Sequence, residues 1–135
     1  MNKEEVEFVD FGHPLHMDTK QHIIYNGREY SCIKGAVLHK KRSLNKKVKC
    51  YNFNYYWLEN REKIIENIYK DILTVGNKEL LKSLKFSNEN FAYIDNGNRN
   101  LGIGYYHINP NTDEVSWVGK NIIGKIFDGL RKDLL

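Results

Sequence analysis

Trp117-Val-Gly-Lys-Asn-Ile-Ile-Gly-Lys-Ile-Phe-Asp-Gly-Leu-Arg-Lys-Asp-Leu-Leu135 reads as a turn feeding one amphipathic helix. From Ile122 the apolar residues fall at 122, 123, 126, 127, 130 and 134, one stripe at helical spacing, with Lys120, Lys125, Asp128, Lys132 and Asp133 on the other side. The pattern predicts a helix from about Asn121 to Leu134 that buries Ile122, Ile123, Ile126, Phe127 and Leu130. Asn121 is the expected N-cap. The Gly119-Lys120-Asn121 turn before it would point backbone N–H groups outward at the end of a helix that favours anions, a candidate phosphate site.

Working back from this helix, two more are expected. Ile64, Ile65, Ile68, Ile72 and Leu73 recur at helical spacing between Trp57 and Leu73, with Gly76 as a stop. Asn77 then caps Lys78 to Phe86, with Leu80, Leu81 and Leu84 inward. Phe91 to Asp95 reads as a strand, Asn96 to Asn100 as a turn and Leu101 to Tyr106 as a return strand, which together predict a hairpin over 91–106. Gly102 and Gly104 would admit a close approach to the backbone.

Toward the N-terminus, Glu5 to Phe11 alternates as an opening strand. The polar loop from Gly12 to Lys20 offers His13, His16 and Asp18 as site residues, or as ordinary loop chemistry. In His22-Ile-Ile-Tyr-Asn-Gly-Arg-Glu-Tyr30 the Asn26-Gly27 pair supplies the two positive-φ positions of a type I′ hairpin. Ser31 then caps a short helix over about 32–39, with Ile33, Ala36 and Val37 inward.

Lys40, Lys41, Arg42, Lys46, Lys47 and Lys49 follow, with Tyr51, Phe53, Tyr55, Tyr56 and Trp57 directly behind. Cations beside aromatic rings are the ingredients of a single-stranded nucleic-acid surface. Here charges and rings are blocked apart, and that favours a solvated loop ahead of a buried aromatic cluster. Nucleic acid is the lesser of the expected partners.

The 135 residues suit one domain over 1–135 with its own core. The net charge of +4 and pI near 9.0 lean toward an anionic partner. Cys32 and Cys50 form no CxxC pair and have no His at zinc-ligand spacing, so neither a disulfide framework, a metal nor a cofactor is expected. The charged N-terminus and the lack of any run of about 18 apolar residues point to a cytosolic chain without a membrane span.

Tyr25-Asn-Gly-Arg-Glu-Tyr-Ser-Cys-Ile-Lys-Gly-Ala36, the Trp57/Arg61 pair, Leu101-Gly-Ile-Gly104 and Gly119-Lys-Asn-Ile-Ile-Gly-Lys-Ile-Phe-Asp-Gly-Leu-Arg131 stand in an order that resembles the NADAR superfamily, also called YbiA-like proteins. The resemblance runs from about Phe8 to Leu134. It implies a mainly α fold with short β-hairpins, of the α+β class, and cleavage of N-glycosidic bonds in nucleotide-derived substrates such as ADP-ribosylated bases or ribosylamino-pyrimidine phosphates. That chemistry needs a carboxylate to activate water or stabilise the developing cation, and contacts to hold the phosphates.

Against that pattern the family's Glu falls on Lys34 and its neighbouring His on Gly35. The Asp before Trp-Gly falls on Asn98, the Trp itself on Leu101, and the Leu-Ser-Asn-Phe loop near Leu15-His-Met-Asp18. A lysine repels the cation that a carboxylate would stabilise, and it suits a phosphate.

Three functions follow, in this order. The first is a divergent member that binds an ADP-ribose-like or other phosphorylated nucleotide without hydrolysis, for sensing or sequestration. The second is an active N-glycosidase with a relocated carboxylate, for which Asp18, Asp95 and Glu114 are the candidates. The third is a protein-interaction module that retains only the fold. For the ligand the expected residues are Lys34, Asn98, Arg99, Gly102, Gly104, Trp117, Gly119, Lys120 and Asn121, with Trp117 either stacking on a base or anchoring the core.

Overall fold

The computed structural model describes residues 2–47, 52–75, 77–87, 89–95 and 97–134. In chain order its elements are β1 (Val6–Val9), β2 (Ile23–Tyr25), β3 (Arg28–Tyr30), α1 (Ile33–Lys47), α2 (Phe53–Thr74), α3 (Lys78–Lys85), β4 (Asn90–Tyr93), β5 (Tyr106–Ile108), β6 (Val115–Trp117) and α4 (Ile122–Leu134). The architecture is mixed α and β. Among the described residues the strands pair only in twos, and helices make up most of the ordered length.

The Asn26-Gly27 hairpin forms as its sequence predicts. Both residues take positive φ, 53° and 77°, and β2 pairs antiparallel with β3 in the register Ile23 to Tyr30.

The hairpin expected over 91–106 does not form. β4 pairs with β1 in parallel instead, Val6 opposite Asn90 and Val9 opposite Tyr93, while β5 pairs antiparallel with β6. The parallel pair needs a long crossover, and α1, α2 and α3 supply it. Phe91, Ala92 and Tyr93 are all buried, and burial on both faces marks a central parallel strand rather than a hairpin arm. Residues 101–104 return alongside as an isolated parallel bridge, Ile94 to Ile103.

The outer edge of β4 is satisfied by polar side chains from α4 and the residue before it. Asn121 accepts the Tyr93 N–H at 2.9 Å and donates to the Phe91 carbonyl at 2.8 Å. Asp128 accepts the Phe91 N–H at 3.0 Å, and the Arg131 guanidinium donates to the carbonyls of Ser87 and Glu89 at 2.9 and 2.6 Å. The Tyr93 N–H and Phe91 carbonyl that Asn121 engages are buried, where an unpaired group is costly.

α4 is therefore central, packing on β4, α2 and α3. Its most buried residues are Ile123, Gly124, Phe127 and Leu130, whereas Ile122 and Ile126 are only partly buried, so the inward stripe is rotated from the one expected. Gly124 is the reason: a Cβ there would collide with the Phe91 carbonyl, and its absence lets the helix lie against the strand. The Phe127 ring is fully buried and meets Tyr69, Phe91 and Tyr93 edge-on at 4.9, 5.7 and 6.1 Å between centroids.

The helices differ from expectation mainly in length. α1 continues through the basic run to Lys47 rather than stopping near His39, because Lys, Arg and Leu are good helix formers and cations suit a helix C-terminus. α2 begins at Phe53, with the Asn52 side chain accepting the Tyr55 N–H at 3.2 Å, so the aromatic run is helical. Tyr55 is exposed and Trp57 partly buried, not the buried cluster expected. α3 spans the segment predicted for it, although Asn77 makes no side-chain cap. Gly76, Lys49, Cys50, Tyr51 and Asn96 lie outside the described residues.

Candidate functional site

α1, α2, Met17 and the loop before Gly102 enclose a cleft of about 470 Å³. Helical spacing builds two of its walls. On α1, Lys34, Val37, Leu38 and Lys41 fall at i, i+3, i+4 and i+7; on α2, Asn54, Trp57, Leu58, Arg61 and Ile65 continue the same rhythm. Met17, Val37, Ile65 and Leu101 are buried and form the apolar floor, while Leu38 and Leu58 are exposed at the rim.

The polar groups are one-sided in charge. Lys34, Lys41 and Arg61 line the cleft with Asn54 and Asn98, and among the described residues no carboxylate lines it. Neither Lys34 nor Arg61 has an ion-pair partner among the described residues. The Lys41 ammonium sits 5.2 Å from the Trp57 ring centroid. Asn98 accepts the N–H groups of Asn100 and Leu101 at 3.1 and 3.0 Å, an Asx turn that leaves its amide N–H groups without a partner among the described residues.

The remaining wall comes from the 12–20 loop, which is tied to the core. Tyr69 donates its hydroxyl to the Leu15 carbonyl at 2.7 Å, and Met17 N–H donates to the Tyr93 hydroxyl oxygen at 3.2 Å. Burial pushes both phenols well above their ordinary pKa, so they stay neutral hydrogen-bonding groups. His16 stacks on Tyr93 at 4.5 Å; its Nε2–H donates to the Ile94 carbonyl at 2.9 Å and its Nδ1 accepts the Asp18 N–H at 3.1 Å. His13 likewise uses both ring nitrogens, toward Glu7 at 2.8 Å and the Leu15 N–H at 3.1 Å. These histidines shape the loop, and Lys34 N–H, donating to the Met17 carbonyl at 2.9 Å, joins it to α1.

Of the expected ligand residues, Lys34 and Asn98 line the cleft. The others lie elsewhere. The backbone N–H groups expected to face an anion are taken: Lys120 N–H donates to the Arg99 carbonyl at 2.7 Å, Asn121 N–H to Gly102 at 3.3 Å, and Ile122 and Ile123 N–H to Asn100 and Leu101 at 3.3 and 2.8 Å. With the N–H groups of residues 120–123 so occupied, and Gly124 buried, the turn presents no outward row of donors to a phosphate. Asn121 is no side-chain cap either, since its φ is 54° and its carboxamide is spent on β4.

What approaches Gly102 and Gly119 is the chain's own backbone. A Cβ on Gly102 would stand 2.5 Å from the Tyr93 carbonyl, and one on Gly119, whose φ is +127°, 2.5 Å from the Gly102 carbonyl. Gly104 lies under the Arg99 side chain, whose guanidinium is 5.6 Å from the Tyr105 ring, and the Lys120 side chain is exposed. Trp117 packs with Phe8 and Ile94 on a small cluster of Val6, Ala92 and Ile103, which is the core-anchor alternative.

Of the carboxylate candidates, Asp18 and Asp95 both act on the Tyr93 hydroxyl, and Glu114 stands apart. Asp18 is exposed beside Met17 at the cleft's edge, Asp95 accepts the Gly97 N–H at 3.1 Å, and Glu114 lies before β6, bridged to Asn2. Lys41, Asn54, Trp57 and Arg61 were not among the expected ligand residues. The seven-residue spacing of Lys34 and Lys41, and the four-residue spacing of Trp57 and Arg61, are the signals that place each pair on one helix face.

No family model, curated protein or solved structure matches the chain. Among the described residues no group of three or more His, Cys, Asp or Glu side chains is placed to hold a metal ion, and no described helix is long and apolar enough to cross a membrane. Other clefts are chemically different: the groove between α2 and α4 is edged by Glu62, Glu66 and Asp133. The cleft holding Lys34 combines converging cations, amide groups and an aromatic wall.

Proposed function

We propose that the cleft between α1 and α2 binds an ADP-ribose-like or related phosphorylated nucleotide and does not hydrolyse it. One observation carries this: Lys34, Lys41 and Arg61 share the cleft with Trp57, Asn54 and Asn98, and among the described residues no carboxylate lines it. The cations suit phosphate oxygens, with the Arg61 fork able to take two at once. The amides suit base or ribose edges, and the apolar floor suits a base face.

Lys41 gains about 0.5–1 kcal/mol from an exposed aromatic face, against about 1.5–3 kcal/mol for a hydrogen bond to a charged group. Its ammonium therefore transfers from the indole to a phosphate, and the ring face it leaves is free for the base. Of the positions aligned with the NADAR pattern, Lys34, Trp57, Arg61, Asn98 and Leu101 line this cleft, whereas Gly35, Gly102, Gly104, Gly119 and Asn121 do not; the first group supports the resemblance as a source of the ligand class.

Calorimetric titration of ADP-ribose, NAD and cyclic derivatives against wild type, Lys34→Glu and Arg61→Ala tests the proposal. Each substitution should weaken binding about 10- to 100-fold, the value of a charge-assisted hydrogen bond. Equal affinity in wild type and Lys34→Glu removes Lys34 from the site. Absence of binding to wild type by all of these nucleotides overturns the proposal.

A further inference from the structure

The excess of basic over acidic charge in this protein lies on one helix. α1 carries Lys34, Lys40, Lys41, Arg42, Lys46 and Lys47 and no carboxylate, so its charge exceeds the net +4 of the whole chain and the remainder is on balance acidic. Such asymmetry is the electrostatic footprint of a surface for an extended anion. The sequence sets these cations apart from the aromatic residues that follow. The fold removes the separation, because α2 runs back along α1 and brings Trp57 under Lys41 at 5.2 Å.

The row is continuous with the cleft. Lys34 and Lys41 line it, and Arg42 and Lys46, one turn apart, stand exposed on the adjoining face of the same helix. From Lys34 to Lys46 the axis rises about 18 Å, longer than one nucleotide needs. We infer that this surface binds single-stranded nucleic acid, one base entering the cleft against Trp57 while the phosphates that follow run along Arg42 and Lys46. The inference rests on the cleft being a nucleotide site, and it extends the ligand from a monomer to a polymer.

Two features favour a single strand over the alternatives. A base within a duplex is stacked and cannot enter a cleft floored by Met17 and Ile65, whereas an unpaired base can. An anionic membrane would require a broad apolar face beside the cations; Ile33, Ala36 and Val37 of α1 are committed to the core, and the apolar side chains that stand exposed at the cleft's rim are Leu38 and Leu58.

Anisotropy titrations with labelled RNA and DNA single strands about 12 nucleotides long, and with the matching duplexes, test this beside the calorimetry with ADP-ribose. The single strands should bind at least about tenfold tighter than ADP-ribose, through the added phosphate contacts. The exposed double reversal Arg42→Glu/Lys46→Glu should weaken them by at least about tenfold and make the log–log salt slope shallower by about 1.4, two contacts at about 0.7 each. It should leave ADP-ribose binding unchanged. Trp57→Leu, with its folding checked by circular dichroism, should weaken single strands by about fivefold or more and leave duplexes unaffected.

If ADP-ribose binds but single strands bind no tighter, or if the double reversal has no effect on them, the extension to a polymer is wrong and the nucleotide cleft stands. A wild-type protein that binds no ADP-ribose overturns both. Equal affinity for duplexes, or tighter binding to vesicles of phosphatidylserine and phosphatidylcholine than to single strands, replaces the inference with a general polyanion or lipid surface.

Discussion

The ammonium of Lys41 lies 5.2 Å from the centroid of the Trp57 ring, joining the basic half of α1 to the aromatic start of α2. Sixteen positions along the chain separate the two, and residues 48–51 among them lie outside the described residues. Their contact makes one side of the cleft cationic and aromatic together, and the chemistry proposed for it depends on that combination.

Catalysis is the first property this decides. A glycosidic transition state gathers positive charge at the anomeric carbon, and Lys34, Lys41 and Arg61 all oppose it. Removing one preorganised electrostatic group costs about 10²–10³ in rate, and added repulsion acts in the same direction. Wild type should show no turnover of ADP-ribosylated or ribosylamino substrates, and Lys34→Glu should recover little. Product accumulation over multiple turnovers, followed by chromatography, would favour an active N-glycosidase; substitution of Asp18, Asp95 and Glu114 in turn would then find its acid.

Phe127 tests the core. Its ring is fully buried among Tyr69, Phe91 and Tyr93, so Phe127→Ala should cost about 3–5 kcal/mol in urea unfolding. A loss below about 1 kcal/mol is inconsistent with this packing.

Asn121 tests the edge of β4. In Asn121→Asp the oxygen that replaces Nδ2 faces the Phe91 carbonyl, acceptor against acceptor, where the amide donates at 2.8 Å. The variant should lose about 1–3 kcal/mol at neutral pH. It should recover part of this on acidification, when the protonated carboxyl donates again. Urea melts at the two pH values that give the same deficit would contradict this geometry.

Asp128 sets a pH dependence. Burial lifts its carboxyl above the ordinary value, against the Phe91 N–H, Arg131 and Lys132, which pull it down. A folded-state pKa above the unfolded one means that the native state holds the proton more tightly. The stability this contributes is present below the unfolded pKa and is lost as pH rises through the folded one. Asp128→Asn keeps an acceptor for the Phe91 N–H but does not ionise. The stability of wild type relative to this variant should fall as pH is raised from about 3 to about 6, the carboxylate range. A flat or rising difference would mean that burial does not dominate.

Local patterns in the sequence carried much of the architecture. The apolar stripe at 122–134 specifies an amphipathic helix, Asn26-Gly27 specifies a hairpin because both positions take positive φ, and Leu80 with Leu84 turns α3 inward. These are short-range effects, set by helical period and by backbone sterics within a few residues. Lys34 and Asn98 were singled out through the resemblance, without any knowledge of contacts, and both line the cleft between α1 and α2.

Tertiary structure decided the rest. The choice of β1 rather than 101–106 as the partner of β4 depends on residues more than eighty positions apart, and on α4 covering the opposite edge with Asn121, Asp128 and Arg131. The same closure consumed the N–H groups of residues 120–123, which taken alone look like an anion site. A helix terminus binds phosphate only if nothing in the chain reaches it first, and here the carbonyls of residues 99–102 do. Trp57 and Arg61 became neighbours of Lys34 and Lys41 only when α2 packed along α1, a relation fixed by the burial of Val37 and Ile65 between the helices and invisible to any local pattern.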